Sequence, residues 1–215
     1  MERTEELALL AELGDGARVA GVDEVGRGPL AGPVLAAAVV LPHDERWVGR
    51  WLGLVRDSKV LKAARREALA AEICEHALVG VGEANVAEID AVNIRNATFL
   101  AMRRALAALP VDVQGAVQGV IVDGNARIPE LSIRQVTLVQ GDAKELAVAC
   151  ASVVAKVARD ALMVALGKEY PAYGWASNAG YGTAAHLAAL AQFGPTPAHR
   201  TSFAPVAACL RDQAA

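Results

Sequence analysis

The chain has 215 residues, of which 54% are hydrophobic and 21% are charged, and its formal net charge is −3. This composition excludes a disordered chain and suffices for one well-buried core. It also excludes a protein that binds nucleic acid through a general positive excess, so such a role needs a local basic surface. The three cysteines have neither C-x-x-C nor zinc-site spacing, and a scattered odd set suits a reducing compartment.

The N-terminal segment and the longest apolar stretch both argue against secretion or membrane insertion. Residues 1–6 lack the basic and apolar regions of a signal peptide. The longest apolar stretch, residues 29–42, is too short to span a bilayer and contains Gly32 and Pro33. We therefore expect a cytoplasmic protein with no membrane segment.

The first quarter of the chain predicts a helix and two strands around a glycine-rich loop. Residues 5–13 have the spacing of an amphipathic helix, and residues 17–22 predict a strand that arrives at Asp23 and Glu24. Residues 34–41 are apolar almost throughout, which indicates a strand buried on both faces. Because a short loop joins the two strands, we expect them to pair antiparallel.

The next segment predicts two helices separated by a short strand. Residues 62–78 have helical composition, and residues 79–82 predict the strand. Asn85 and Glu88 have the spacing of a capping box. A longer helix is predicted over residues 94–109, where a proline stops it.

The second half of the chain predicts two further strands and two further helices. Residues 120–122 predict a short buried strand that ends at Asp123, and residues 133–139 predict another strand. A long alanine-rich helix is predicted over residues 142–166, and a helix capped by a threonine over residues 183–194. This order of elements is typical of an α/β protein with a mixed sheet.

Carboxylates stand at the ends of several predicted elements. Asp23 and Glu24 end one strand, Asp123 ends a second, and Asp142 begins a helix. If the two strands are neighbours, these groups converge at one edge of the sheet, where their charges repel unless cations are present. Oxygen ligands suit Mg²⁺ or Mn²⁺, and two such ions can activate water and stabilise a leaving oxygen at a phosphodiester.

Each of these carboxylates also has a purely structural interpretation. Asp142 and Glu145 have the spacing of a capping box. Asp123 opens a segment typical of a turn, and Asp23-Glu24 could be a solvated strand end. Only the concurrence of all of them favours a metal site.

The loop Gly26-Arg27-Gly28 directly follows the first carboxylate pair. Glycines allow the backbone N–H groups to approach a phosphate or hydroxyl oxygen, and Arg27 adds a bidentate donor. The spacing matches neither a Walker A motif nor G-x-G-x-x-G. The alternative is a hairpin loop whose glycines only supply positive φ angles.

The segment from Gly21 to Pro33 resembles the N-terminal signature of bacterial ribonuclease HII. The resemblance covers about residues 19–206 in the right order. It continues through Asp57-Ser58-Lys59, Asn93-Ile94, Asp123-Gly124-Asn125, Gly141-Asp142, Ala151 to Asp160, Gly180-Tyr181-Gly182-Thr183 and His199 to Val206.

This resemblance implies a ribonuclease H-like α/β fold, with a mixed central sheet flanked by helices and a C-terminal helical region. We expect residues 1–167 to form the catalytic domain, and residues 168–215 to form a loop and helical region that packs on it. The implied reaction is hydrolysis of the RNA strand of RNA–DNA hybrids and nicking 5′ of single ribonucleotides in duplex DNA. The enzyme would use Mn²⁺ or Mg²⁺, with two ions during catalysis, leave 3′-hydroxyl and 5′-phosphate ends, and act as a monomer.

The resemblance also implies roles for individual residues. Four carboxylates match the family's metal ligands: Asp23, Glu24, Asp123 and Asp142. Six residues match its substrate contacts: Gly26, Arg27, Gly28, Ser58, Lys59 and Tyr181. The Gly-Arg-Gly loop would sense the ribose 2′-hydroxyl, the tyrosine would stack on the following deoxyribose, and the Ser-Lys pair would contact phosphate. The arginine of the loop distinguishes the chain from ribonuclease HIII, which typically has lysine there.

Three positions depart from the family's pattern. Gln140 and Ala179 stand where lysines often occur, so we expect weaker contact with phosphate. Lys62 replaces a hydroxyl residue that often caps a helix. The cations at Lys59, Lys62, Arg65 and Arg66 would line the duplex or form the solvated face of a helix.

Two histidines and two alternative functions also bear on the interpretation as a two-metal ribonuclease. We interpret His186 and His199 as structural, because a two-metal site needs no histidine base. A related carboxylate-metal DNA nuclease would cut all-DNA substrates, which the Gly-Arg-Gly loop and Tyr181 oppose. A non-catalytic nucleic-acid-binding module would not need the four carboxylates.

Overall fold

The computed structural model describes residues 1–42, 45–56, 62–110 and 115–214. Its strands are β1 (Arg18–Val25), β2 (Val34–Val40), β3 (Leu78–Ala84), β4 (Val117–Asp123) and β5 (Arg134–Leu138). Its α-helices are α1 (Thr4–Leu13), α2 (Glu45–Arg56), α3 (Ala63–His76), α4 (Val86–Ala107), α5 (Gly141–Lys144), α6 (Leu146–Glu169), α7 (Trp175–Asn178), α8 (Ala184–Phe193) and α9 (Ala204–Ala214). A 3-10 turn spans Pro171–Tyr173.

The strands form one mixed sheet in the order β3-β2-β1-β4-β5. The pairs β3–β2 and β2–β1 are antiparallel, whereas β1–β4 and β4–β5 are parallel. Every residue of β2 is buried, which confirms the strand predicted to be covered on both faces. The mixed sheet and the antiparallel β1–β2 pair are likewise confirmed.

Helices cover both faces of the sheet and bury its alternating side chains. Ala36 and Ala38 of β2 face the α4 side, and Ala37 and Val39 face α2, α3 and α6. The helices approach closely because small residues line the contact. A Cβ at Gly21 would overlap the backbone of α6, and one at Gly82 would overlap the backbone of α4. Close approach of helix and strand backbones therefore supplies much of the packing in a chain with 4% aromatic residues.

The C-terminal segments enclose the loop that joins β1 and β2. Leu30 N–H donates to the Gly180 carbonyl, Arg200 N–H to the Leu30 carbonyl and Gly32 N–H to the Ala198 carbonyl, each at 2.8 Å. Beside these contacts lies a small core that includes Tyr173, Trp175, Met163 and Ala189. The loop after Asp23 and Glu24 is therefore held between segments about 150 to 170 residues away along the chain.

Several predicted elements are confirmed. Helix α1, strand β3 and the end of α8 at Gly194 lie where the patterns predicted them. Asn85 and Glu88 form a complete capping box, and the Thr183 side chain accepts from His186 N–H. Helix α2 has no counterpart among the predicted elements.

Two predicted helices differ from the structure. The helix predicted over residues 94–109 begins earlier, at Val86, and is kinked at Asn93, which has φ 68° and ψ 162°. The single helix predicted over residues 142–166 is wrong, because Glu145 is extended and separates α5 from α6.

The break at Glu145 has a tertiary cause. The Glu145 carboxylate accepts hydrogen bonds of 3.2 Å from the backbone N–H groups of Glu5 and Glu6, and so caps α1. The N-terminal segment adds backbone bonds from Glu2 N–H to the Lys144 carbonyl and from Leu146 N–H to the Glu2 carbonyl. The alternative interpretation of Asp142 and Glu145 as a capping box is therefore wrong, since Glu145 is extended and caps a different helix.

Of the helices in the described ranges, none is both long and apolar enough to cross a membrane.

Gly21→Ala is expected to lower the free energy of unfolding by about 1–3 kcal/mol, because the added methyl group would press on the α6 backbone at Ala147 and Val148. Gly53→Ala is the matched control: it lies in α2 with open space around it, and alanine is expected to leave stability unchanged or raise it by up to about 1 kcal/mol. Urea unfolding of both variants measures the difference, and equal free energies would contradict this account of the sheet–helix contact.

Candidate active site

Asp23 and Asp123 are neighbours at the carboxyl ends of two parallel strands. The register pairs Val22 of β1 with Val122 of β4, so the next residue of each strand is an aspartate beside the other. One ligand oxygen from each of Asp23, Glu24 and Asp123 lies within 4.8 Å of the other two. The structure thus brings together three of the four predicted carboxylates.

Asp142 is not a member of this three-carboxylate group. It lies half-buried in the first turn of α5, whose preceding residue Gln140 has a left-handed backbone with φ 58°. The adjacent Gly141 N–H donates to Asp123 Oδ1 at 2.6 Å, so α5 begins directly against the group. The role of Asp142 as a fourth metal ligand stays a prediction.

Burial makes the ionised carboxylates costly in the absence of a cation. The pKa of Asp23 is raised to about 8, chiefly by burial and also by the charges of Glu24 and Asp123. A hydrogen bond from Ser152 and the Glu24 N–H at 2.7 Å oppose these effects. Burial also raises the pKa of Glu24, against the opposing charge of Arg27. An oxygen-only set of converging acids fits a hard divalent cation such as Mg²⁺ or Mn²⁺, which would offset this cost.

A small pocket adjoins the carboxylates on the α4 side. Its lining includes Glu24, Asp123 and two cationic side chains, Arg27 and Arg95. The Arg95 guanidinium lies 5.8 Å from the ring centroid of Phe99, which also lines the pocket. Arg95 was not among the predicted site residues, although it directly follows the Asn93-Ile94 motif; its position in the pocket lining comes from the structure.

The Gly-Arg-Gly loop lies beside the carboxylates and against Tyr181. Gly26 has φ +93°, a conformation that side chains other than glycine rarely adopt. Arg27 is exposed and forms an ion pair of 3.3 Å with Glu24. A Cβ at Gly28 would lie 3.3 Å from Tyr181 Cε1, and the tyrosine is 49% exposed. The structure therefore places the loop and the tyrosine ring side by side.

The two buried histidines support Tyr181 through a chain of hydrogen bonds. His199 Nδ1 accepts from Thr196 N–H at 3.0 Å, so its Nε2 donates to His186 Nε2 at 3.1 Å. His186 Nδ1 then donates to the Tyr181 carbonyl at 2.9 Å. Burial lowers the pKa of His199 to about 4 and lowers that of His186, which keeps both rings neutral. This arrangement agrees with a structural role for both.

The remaining predicted residues do not all fall within the site. Ser58 and Lys59 lie outside the described residues, so their proposed contacts with phosphate stay predictions. Lys62 precedes α3 and Arg65 lies in its first turn, and both are exposed. Ala179 has φ 49° and leads into the Tyr181 segment.

Comparisons with known proteins agree with this geometry. A family model described as Ribonuclease HII matches residues 20–206. The chain is 56% identical over 195 residues to Ribonuclease HII of Rhodospirillum rubrum, covering 89% of this chain and 86% of that protein. It is 53% identical over 202 residues to Ribonuclease HII of Paramagnetospirillum magneticum, covering 94% and 96%. The crystal structure of ribonuclease H2 from Pyrococcus horikoshii OT3 superposes with a TM-score of 0.75 at 25% identity, covering 91% of this chain and 98% of that one.

Asp23→Asn is expected to stabilise the protein in EDTA at pH 8.5, by roughly 1–3 kcal/mol. The folded-state pKa of about 8 lies above the ordinary value of 3.8, so wild-type stability falls as pH rises from about 4 through 8. Asparagine cannot ionise, so the advantage should disappear at pH 4. Thermal melts across this range measure it.

Asp15→Asn, in an exposed turn, is the control and should leave stability within about 0.5 kcal/mol of wild type at both pH values. Added Mn²⁺ should raise the melting temperature of wild type more than that of Asp23→Asn. A variant that is less stable than wild type in EDTA at pH 8.5 would contradict the electrostatic cost assigned to Asp23.

Proposed function

We propose that this chain, which belongs to the ribonuclease HII family, nicks duplex DNA on the 5′ side of single embedded ribonucleotides. Membership makes it an endonuclease and a phosphodiester hydrolase, and family and fold together support ribonuclease H activity on RNA–DNA hybrids. One arrangement of residues supports the proposal that the enzyme nicks at single ribonucleotides. The three-carboxylate group, the Gly-Arg-Gly loop and Tyr181 follow one another across a single surface.

The carboxylates are the proposed metal ligands. Asp23, Glu24 and Asp123 would hold divalent cations, with Asp142 as a further ligand from the start of α5. Two bound Mn²⁺ or Mg²⁺ ions would supply the positive charge that activates a water molecule and stabilises the leaving oxygen. The Gly141 N–H holds Asp123 Oδ1, and the Glu24 N–H holds Asp23 Oδ1, so both aspartates are oriented before any cation binds.

The neighbouring loop is the proposed sensor of the ribose. A 2′-hydroxyl both donates and accepts hydrogen bonds, and it is the group that distinguishes RNA from DNA. Arg27 and Gly28 are exposed, so their backbone can approach such a hydroxyl closely. The exposed ring of Tyr181 beside Gly28 would stack on the sugar of the next nucleotide, which favours a deoxyribose at that position.

Cationic side chains near the site would contact the phosphate backbone of the substrate. They are needed because a chain with a net charge of −3 does not attract nucleic acid through its overall charge. Arg27 and Arg95 flank the carboxylates, and Ser58 and Lys59 are proposed as further contacts. Residues 168–215 would act as the region that presents Tyr181 to the substrate. We propose a monomeric enzyme, since this surface is assembled from one chain.

The wild-type protein with Mn²⁺ or Mg²⁺ should nick a DNA duplex that contains one ribonucleotide and should leave the same duplex intact when that position is deoxyribose. Denaturing gel electrophoresis of end-labelled strands measures both. Cleavage of the all-DNA duplex at a comparable rate would indicate a DNA nuclease of related fold. No cleavage of the ribonucleotide duplex with either metal would refute the proposal.

Asp123→Asn should lower the nicking rate more than about 100-fold, because it removes a ligand charge from the metal centre. The fold should survive, since the asparagine oxygen can still accept the Gly141 N–H. Asp15→Asn again serves as the charge-matched control and should cut like wild type. Circular dichroism checks the fold of both variants. A nicking rate of Asp123→Asn close to wild type would contradict the proposed role of this residue.

A further inference from the structure

Two fully buried arginines lie beneath the Gly-Arg-Gly loop. Arg159, from α6, is 1% exposed and Arg200 is 0% exposed. The hydrogen bonds that their guanidinium groups donate within the described residues all end on backbone carbonyl oxygens. Burying cations without a paired carboxylate is costly, and burial together with the Arg159 charge lowers the pKa of Arg200 to about 9. Apolar side chains would fill this space without that cost, but they could not donate hydrogen bonds to the backbone carbonyls.

Arg200 holds both ends of the loop that joins β1 and β2, which begins with Gly26-Arg27-Gly28. Its Nη2 donates to the Gly26 carbonyl at 2.6 Å and its Nη1 to the Arg27 carbonyl at 3.0 Å. At the other end of the loop, its Nε donates to the Gly32 carbonyl at 2.9 Å and its Nη2 to the Pro33 carbonyl at 3.2 Å. One guanidinium thus spans four carbonyls of the segment between β1 and β2.

Arg159 ties the same loop to the segment before Tyr181. Its Nε and Nη2 donate to the carbonyls of Pro33 and Ala31, at 3.2 and 3.3 Å. Its Nη1 donates to the Ala179 carbonyl at 3.0 Å. A Cβ at Gly26 would overlap the Arg159 side chain, so the loop rests directly on it.

The direction of the loop carbonyls determines what the loop exposes. A trans peptide is planar, so the carbonyl of one residue and the N–H of the next point in opposite directions. Since the Gly26 and Arg27 carbonyls point inward to Arg200, the N–H groups of Arg27 and Gly28 point outward. Neither N–H donates to another group within the described residues, and both residues are exposed.

Arg200 is itself held firmly in place. The Asp90 carboxylate accepts hydrogen bonds from the backbone and hydroxyl groups of the next two residues, Thr201 and Ser202, at 2.5 to 2.9 Å. The preceding residue, His199, belongs to the buried histidine pair. The guanidinium therefore approaches the loop from a fixed backbone.

We propose that Arg200 and Arg159 are positioning residues for ribose recognition. Arg200 turns two carbonyls inward so that the Arg27 and Gly28 N–H groups face the 2′-hydroxyl, and Arg159 fixes Tyr181 relative to that loop. This inference rests on the proposed function. Lysine would preserve each charge but not the contacts, because an ammonium group cannot reach several carbonyls in a fixed plane as a guanidinium does.

The test uses Arg200→Lys and Arg159→Lys, with Arg104→Lys as the matched control. Arg104 also donates to a backbone carbonyl, that of Glu83 at 2.7 Å, but it lies in the last turn of α4 and forms an ion pair with Glu88. The kcat/KM on the single-ribonucleotide duplex should fall at least about 10-fold in both test variants, because a small misplacement of recognition groups is costly. Arg104→Lys should match wild type.

Two further measurements separate positioning from general damage. Calorimetric affinity for Mn²⁺ should stay within about twofold of wild type in both test variants, since the carboxylates do not depend on these bonds. In ¹H–¹⁵N spectra, Arg200→Lys should shift the Arg27 and Gly28 amide signals and leave that of Ala20, inside β1, unchanged. The spectra need no activity, so they test the inference even if the wild type fails to cut.

Failure of the wild type to nick the ribonucleotide duplex would refute the proposed function alone. Wild-type nicking together with wild-type kcat/KM in both lysine variants would overturn the inference, as would unshifted Arg27 and Gly28 amide signals in Arg200→Lys. A parallel loss of Mn²⁺ affinity, or loss of the folded state in both variants, would also overturn it, because the arginines would then support the fold as a whole.

Discussion

Three carboxylate oxygens held within 4.8 Å of one another repel, and the fold keeps them there because each belongs to a strand end that cannot move independently. Asp23 and Asp123 are fixed by the register of two parallel strands, and β1 is in turn fixed by the contact of Gly21 with α6. The same burial that raises the pKa of Asp23 makes a divalent cation a stabilising partner. The carboxylate cluster therefore destabilises the metal-free protein, and a bound divalent cation would remove that cost.

A second set of buried polar groups determines the shape of the surface beside the carboxylates. Arg159 and Arg200 bind the carbonyls of the glycine loop, and the His186–His199 pair binds the carbonyl of Tyr181. Each contact acts on backbone, so it sets the position of a segment without occupying the surface that meets the substrate. The exposed groups that would recognise a ribonucleotide are few, whereas the groups that hold them in place are buried and distant in the chain.

The sequence predicted the strands, the antiparallel β1–β2 pair and the convergence of Asp23, Glu24 and Asp123, because these depend on local apolar patterns and on short motifs at the strand ends. It did not predict the break at Glu145, whose carboxylate caps a helix about 140 residues earlier in the chain. Nor did it indicate that Arg95 lines the site, because the pocket joins residues of α4 to residues at the ends of β1 and β4. Arg159 and Arg200 lay within the recognised motifs, but their contacts span 20 to 174 residues and are not visible in any spacing.

In the proposed function, the metal-binding carboxylates direct water to the phosphodiester and the adjoining loop selects the ribonucleotide. The most direct measurement is the chemistry and position of the new ends on a duplex with one ribonucleotide, determined by mass spectrometry of the products. The account predicts a single cut on the 5′ side of the ribonucleotide, with a 3′-hydroxyl and a 5′-phosphate. A 2′,3′-cyclic phosphate would contradict it, because the 2′-hydroxyl would then be the nucleophile and not the group that is recognised. A cut on the 3′ side would also contradict it, because the ribose would then not lie where the loop is proposed to recognise it.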